Sequence, residues 1–244
     1  MLSKKQIKFI LNLTQRKYRE ASGCFVVEGP KSVLDLVAAG MELKECYTLK
    51  LLDELPPMVQ IVINSSELKA MSSLTTPQNL IGVFKIPKMK EIALTGNVLA
   101  LDGVRDPGNF GTIVRLCDWF GMKNLVCSLD SVDCFHPKVV QATMGSIARV
   151  NVTYVDLPLW LKNTPIPKIG TFMEADSVYQ FQWPKDVVVV MGNEGQGISD
   201  EVRAELTGSI SIPKYSTDAS VESLNVATAT SVILSEYFRV TIGK

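Results

Sequence analysis

The sequence predicts an α/β fold built on a parallel sheet, with a smaller α/β unit ahead of it. Three observations predict it. From about residue 97 onward, strand-type apolar runs alternate with helix-type segments, the pattern of a sheet covered by helices on both faces. Within that alternation VVVVM (187–191) is apolar at every position, as a strand buried on both faces must be. It runs directly into GNEGQG (192–197), and in open parallel sheets the loops beyond the carboxyl ends of the strands hold ligands.

The elements can be justified in order. Ser3 caps a first helix whose partial apolar stripe is Ile7, Ile10, Leu11 and Leu13. CFVVE (24–28) is a strand. Pro30 takes the first position of a helix with Val33, Leu34, Val37 and Ala38 on its apolar face and Gly40 beyond its end. Strands are expected over 43–48, 59–63 and 80–85, with a short helix over about 66–71. IPKMKEIALTGN (86–97) is the linker, so that two domains are expected, 1–90 and 97–244. VLAL (98–101) opens the second. Pro107 and Gly108 are expected to keep the following loop out of helix, leaving Asn109 to cap a helix over about 111–120. Strands at 124–128, 150–155 and 168–174 alternate with helices in KVVQATMGS and over 157–162. After the glycine loop, Ser199 caps a short helix with Asp200 and Glu201 in its first turn, ended by Gly208. ISI (210–212) is a strand stopped by Pro213. SLNVATATSVILSEYF is helical, and its small residues let it press against other backbone.

Composition narrows the class. With 244 residues, 46% hydrophobic and 20% charged, the chain is an ordinary globular protein of one large or two small domains. No apolar run approaches the roughly eighteen residues of a membrane span, and MLSKKQIKFILNL is amphipathic rather than a signal peptide. Five cysteines without a CxxC pair read as free thiols in a cytoplasmic protein, and the single histidine, His136, speaks against a metal site. The zero net charge hides an asymmetry: residues 1–91 carry thirteen Lys and Arg against nine Asp and Glu. Lys4, Lys5, Lys8, Arg16, Lys17 and Arg19 lead the chain with no acid among them, which suits either a nucleic-acid footprint or a solvated helix face.

GNEGQG is neither G-x-G-x-x-G nor a Walker loop. Taken with LDGVRDPGNFGTIVR (101–115) upstream, and with Ile-Pro (212–213) and Ser-Leu-Asn (223–225) downstream, it resembles the three ordered motifs of the SpoU (TrmH-like) family of RNA ribose methyltransferases. The resemblance implies a SPOUT domain whose C-terminal segment forms a deep trefoil knot holding S-adenosylmethionine. It also implies methylation of an RNA ribose 2′-hydroxyl, ribosomal RNA before transfer RNA, by a homodimer. FVVEGPKSVLDLVAAG similarly looks like the family's N-terminal RNA substrate-binding domain, a packing or dimerisation role being the other reading.

By the same resemblance Arg115, Asn109, Glu194, Ser223 and Asn225 are the catalytic set. Thr171 or Phe172, Gly192, Asn193, Gly195, Ile212 and Leu224 line the cofactor, where a side chain at 192 or 195 would displace the adenosine. An arginine on a helix is more often a surface ion-pair partner, and the motif reverses that reading for Arg115. Because guanidinium stays protonated, Arg115 suits a phosphate clamp and oxyanion stabiliser better than a base. IPKYSTDASVESLN is longer than the family's usual stretch, with Ala219 where a glycine is common, so the cofactor contacts of 214–222 stay open. The other class of function compatible with these residues is a ribosome-associated RNA-binding factor without turnover.

Overall fold

The structure, a computed structural model, describes residues 2–88, 92, 96–216 and 223–242. Half of the expected linker at 86–97 lies outside them, as do residues 217–222. In chain order the first elements are α1 (Lys4–Asn12), α2 (Arg16–Ser22), β1 (Cys24–Glu28), α3 (Pro30–Ala38), β2 (Leu43–Thr48), β3 (Gln60–Val62), α4 (Ser65–Met71) and β4 (Leu80–Lys85). Then follow β5 (Val98–Leu101), α5 (Pro107–Phe120), β6 (Asn124–Ser128), α6 (Pro137–Thr143), β7 (Asn151–Val155) and α7 (Leu157–Lys162). The last are β8 (Lys168–Ser177), β9 (Val188–Met191), α8 (Asp200–Arg203), β10 (Gly208–Ser211) and α9 (Val226–Thr241). They form two compact units, residues 1–88 with 133–149, and residues 89–132 with 150–244.

The first unit is a four-stranded mixed sheet in the order β1-β4-β2-β3. Ser3 and Gln6 close a reciprocal capping box at the start of α1, which sets Ile10 and Leu13 into the core. One sheet face packs Cys24, Val26, Tyr47, Ile81 and Val83 against those residues and against Leu68 and Met71 of α4. On α3 the buried pair is Val33 and Leu36, one turn apart, while Ala38 of the expected face is exposed. Residues 133–149 complete this unit from far along the chain: the Phe135 ring lies 4.7 Å from that of Phe25, and α6 packs on β1.

Arg19 corrects the reading of the basic leader. Its side chain is buried, with Nη1 donating to Leu13 O at 2.8 Å and Nε and Nη2 both donating to Asp133 Oδ2, the former at 3.0 Å. Arg16 is paired with Glu20. The exposed cations of the leader are therefore Lys4, Lys5, Lys8 and Lys17, along with the paired Arg16.

The second unit is a six-stranded parallel sheet in the order β10-β8-β9-β5-β6-β7. Every residue of β5 and β9 is buried, as the unbroken apolar runs require. Val98, Ala100, Val188 and Val190 share one face with Leu157, Leu161 and Val202 of α7 and α8. Helices α5 and α9 pack on each other. Helix α5 begins four residues earlier than the sequence suggested: Asp106, not Asn109, is the N-cap, accepting from Asn109 N at 2.8 Å. Pro107 does not break the helix because it sits at N1, where its missing N–H costs nothing. This places Asn109 inside the first turn with its side chain free of capping duty. Gly208, expected to end α8, instead opens β10.

Breaking the Arg19–Asp133 pair on one side leaves a buried charge unpaired, which costs about 3–5 kcal/mol. Asp133→Ala should therefore lose stability on that scale in urea unfolding, and the double change Arg19→Met with Asp133→Leu should recover most of it.

Candidate active site at the carboxyl edge of the sheet

In the parallel ladder Leu101 stands opposite both Met191 and Cys127. The loops after β5, β9 and β6 therefore start level with one another. The loop after β9 is folded by its own backbone: Asn193 and Gly197 exchange two N–H···O bonds of 2.9 Å. Asn193 Oδ1 accepts from Gly195 N and Gln196 N at 2.9 and 3.1 Å, and its Nδ2 donates to Gly103 O at 2.6 Å. So one side chain shapes the glycine loop and ties it to the loop after β5. Asp102, buried, accepts from both the backbone N–H and the hydroxyl of Ser199, at 2.7 and 2.8 Å. That pins the far end of the same loop, and it is why the Ser199 hydroxyl does not cap α8.

This folding by itself requires Gly192. A Cβ there would stand 2.3 Å from Gly197 C and 2.5 Å from Ile198 N. Gly195 is different: it is exposed, and a Cβ would meet nothing nearer than 3.6 Å.

Three of the five expected catalytic residues are joined directly. Asn109 Nδ2 donates to Glu194 Oε1 at 2.9 Å, and Asn225 Nδ2 donates to Asn109 Oδ1 at 2.9 Å. Asn225 is also the N-cap of α9, its Oδ1 accepting from Ala227 N and Thr228 N. The first, second and third motifs thus meet in one hydrogen-bonded line. Arg115 is exposed on α5, about 9 Å along the axis and roughly 120° around it from Asn109. Ser223 and Leu224 are exposed just ahead of α9, Leu224 at 50%.

Thr171 Oγ1 donates to Val190 O at 3.1 Å, beside the end of β9. It starts an excursion of β8, whose pairing with β10 jumps from Gly170 to Asp176. Phe172 is taken up by Arg203, which lies 4.8 Å from its ring centroid. Ile212 is half-buried where β10 ends. Gly195 presents bare backbone, and Ile212 and Leu224 keep apolar surface exposed to different degrees. Among the described residues no group of His, Cys, Asp or Glu converges as a metal site. Sequence reasoning missed Asp102, Gly103 and Ser128. Asp102 and Gly103 stand inside the first motif, while Ser128, whose Oγ accepts from Gly103 N at 2.8 Å, carries no sequence signal of its own.

Gly192→Ala should push the glycine loop off its own backbone and cost about 1–3 kcal/mol, the usual range for overpacking. Gly195→Ala should leave thermal unfolding unchanged. Equal melting temperatures for the two variants would refute this division of roles.

Comparison with known proteins identifies the family. A model of the SpoU rRNA Methylase family matches residues 96–235, and one of the MRM3-like substrate binding domain matches residues 4–82. The chain is similar to the 23S rRNA (guanosine(2553)-2'-O)-methyltransferase RlmP of Bacillus subtilis, with 27% identity over 94% of each chain. A solved structure from Porphyromonas gingivalis, described as of the TrmH family of RNA methyltransferases, has a TM-score of 0.87 at 40% identity, over 97% of this chain and 98% of that one. An AdoMet-bound rRNA methyltransferase from Sinorhizobium meliloti has a TM-score of 0.86 at 27% identity, over 98% and 96%. With more than half of its length matched, the chain belongs to the SpoU rRNA methylase family.

Proposed function

We infer that this protein is an S-adenosylmethionine-dependent methyltransferase acting on a ribose 2′-hydroxyl of structured RNA, ribosomal RNA in the first place. The observation that carries the reading is the line Glu194–Asn109–Asn225, which joins all three motifs beside the open Gly195 backbone. The bound S-adenosylmethionine of the Sinorhizobium meliloti relative and the 23S rRNA substrate of the Bacillus subtilis one support cofactor and substrate class.

S-adenosylmethionine, when bound, supplies a methyl group already activated on a sulfonium. The protein's share is therefore mostly positioning. Residues Thr171, Gly192, Asn193, Gly195, Ile212 and Leu224 hold the cofactor, Gly192 and Asn193 by shaping the loop and the others by surface. Asn109 and Asn225 hold Glu194 at the mouth of that loop, Ser223 stands beside them, and Arg115 provides the fixed cation for an RNA phosphate and for the developing 2′-oxyanion. The family's deep trefoil knot belongs to this reading, supported by β9 lying between β8 and β5 and by the return of α9 to α5.

Residues 1–90 serve as the RNA substrate-binding domain and 97–244 as the catalytic domain, which lends its segment 133–149 to the first unit. The exposed lysines of α1 and α2 support the first assignment. A homodimer is supported by an open apolar groove on α5 and α9, lined by Leu116, Trp119, Phe120 and Val232, with Trp119 84% exposed. The cytoplasm is the compartment that fits a ribosomal RNA substrate; among the described residues no helix is long and apolar enough to cross a membrane.

Incubating the protein with S-adenosylmethionine and RNA from cells that lack it, then mapping 2′-O-methyl groups, should reveal one new site. Absence of any new methyl would overturn the reading. Arg115→Ala should lower the single-turnover rate about a hundredfold to a thousandfold, the loss for one oxyanion donor, with cofactor affinity unchanged. Arg115→Lys should keep part of the rate. Deleting residues 1–90 would strip α6 of the sheet it packs on, so the RNA surface is better tested by changing Lys4, Lys5, Lys8 and Lys17 to alanine. That variant should flatten the salt dependence of RNA binding, and Trp119→Glu should halve the mass seen by light scattering.

A further inference from the structure

The loop after β5 carries a second arginine, Arg105, for which the mechanism has no use. Its side chain is 62% exposed, and Nη2 donates to Asp130 Oδ2 at 2.7 Å. Asp130 is independently held, its Oδ1 accepting from the Ser128 hydroxyl at 2.6 Å. Its carboxyl lies below the usual carboxylate range, first because of that hydroxyl and then because of Arg105, so it is charged at neutral pH. The pair is not what joins the two loops. Gly103 N donates to Ser128 Oγ at 2.8 Å and Val132 N to Val104 O at 3.0 Å, and both bonds stand without Arg105.

Its place is close to the chemistry. Gly103 has φ +67°, and a Cβ on it would lie 3.2 Å from Asp130 Oδ2 and 3.8 Å from Asn193 Cβ. One residue therefore separates the Arg105–Asp130 pair from the loop that carries Glu194. An ion pair this exposed contributes little to stability. A phosphate offers the guanidinium fork two oxygens in matching geometry and can displace a carboxylate that offers one.

We propose that Arg105 is a substrate-binding residue whose guanidinium exchanges Asp130 for a phosphate of the RNA strand flanking the target ribose. Until RNA arrives, Asp130 keeps the arginine extended over the loop, and it competes with the phosphate. The proposal rests on the reading of the protein as an RNA methyltransferase.

The test compares wild type with Arg105→Ala, Arg105→Lys and Asp130→Asn, using deproteinised ribosomal RNA from cells that lack this protein. Asparagine at 130 still accepts from the Ser128 hydroxyl, so the loop keeps its support. Arg105→Ala should raise KM for RNA about tenfold, the loss of one charge-assisted contact, with turnover at saturating RNA falling far less. The slope of log affinity against log salt should fall by about 0.7–0.9, one phosphate's worth. Arg105→Lys should keep that slope and recover part of KM. Asp130→Asn should move KM the other way, severalfold lower, because the competitor is gone. An unchanged KM in Arg105→Ala would overturn the proposal. So would a raised KM and a lowered melting temperature in both Arg105→Ala and Asp130→Asn, which would make the pair structural. Wild-type protein that binds no S-adenosylmethionine and methylates no RNA would instead defeat the functional reading, and the two failures are distinguishable.

Discussion

Because β9, β5 and β6 run parallel and in register, with Leu101 level with Met191 and Cys127, the loops that follow them leave the sheet side by side. The side-chain bonds at the site are then short-range: Asn193 to Gly103, Ser199 to Asp102, Gly103 to Ser128. Each orders groups that the ladder has already brought within reach, so little further chain entropy opposes it. A slip of one residue would exchange the side chains that face each helix layer and carry Gly103 away from both partners. Because VLAL and VVVM are apolar at every position, burial alone tolerates such a slip, and the bonds from Gly103 to Ser128 and Asn193 help to fix the register.

Hydrogen-bond direction then runs through the site without ambiguity. Asn225 Oδ1 accepts two N–H groups of α9, so its Nδ2 must donate to Asn109. Asn109 Oδ1 accepts that bond, which leaves its Nδ2 to donate to Glu194. The start of the last helix thus dictates that Glu194 meets Asn109 as an acceptor. Only an amide serves at 109, since a carboxylate offers no donor when ionised and would set a second negative charge against Glu194.

The first unit shows how far sequence neighbours can mislead. Arg19 stands in a run of exposed cations, yet its partner is 114 residues away and it is about as buried as Leu13. The segment from Asp133 to Arg149 lies inside the residues that match the SpoU family, and it nonetheless packs with the N-terminal sheet. An experiment that divides the chain at residue 90 would cut through that core.

The strand and helix order apart from α2, the doubly buried β9 and the glycine loop were legible in the sequence, which also singled out Asn109, Glu194 and Asn225, the three residues the structure links by hydrogen bonds. They rest on local signals, namely periodicity, proline and glycine placement, and three motifs in order. The start of α5 was misread because proline at N1 and proline in a loop look alike until Asp106 is seen to cap the helix. The tertiary structure alone decided that Gly192 is demanded by the backbone of Gly197 and Ile198, that Asp102 pins Ser199, and that Arg19 belongs to Asp133. Each of these depends on which residues the register brings together across long stretches of chain. A linear pattern carries no distance between such residues, and only burial and pairing in three dimensions supply it.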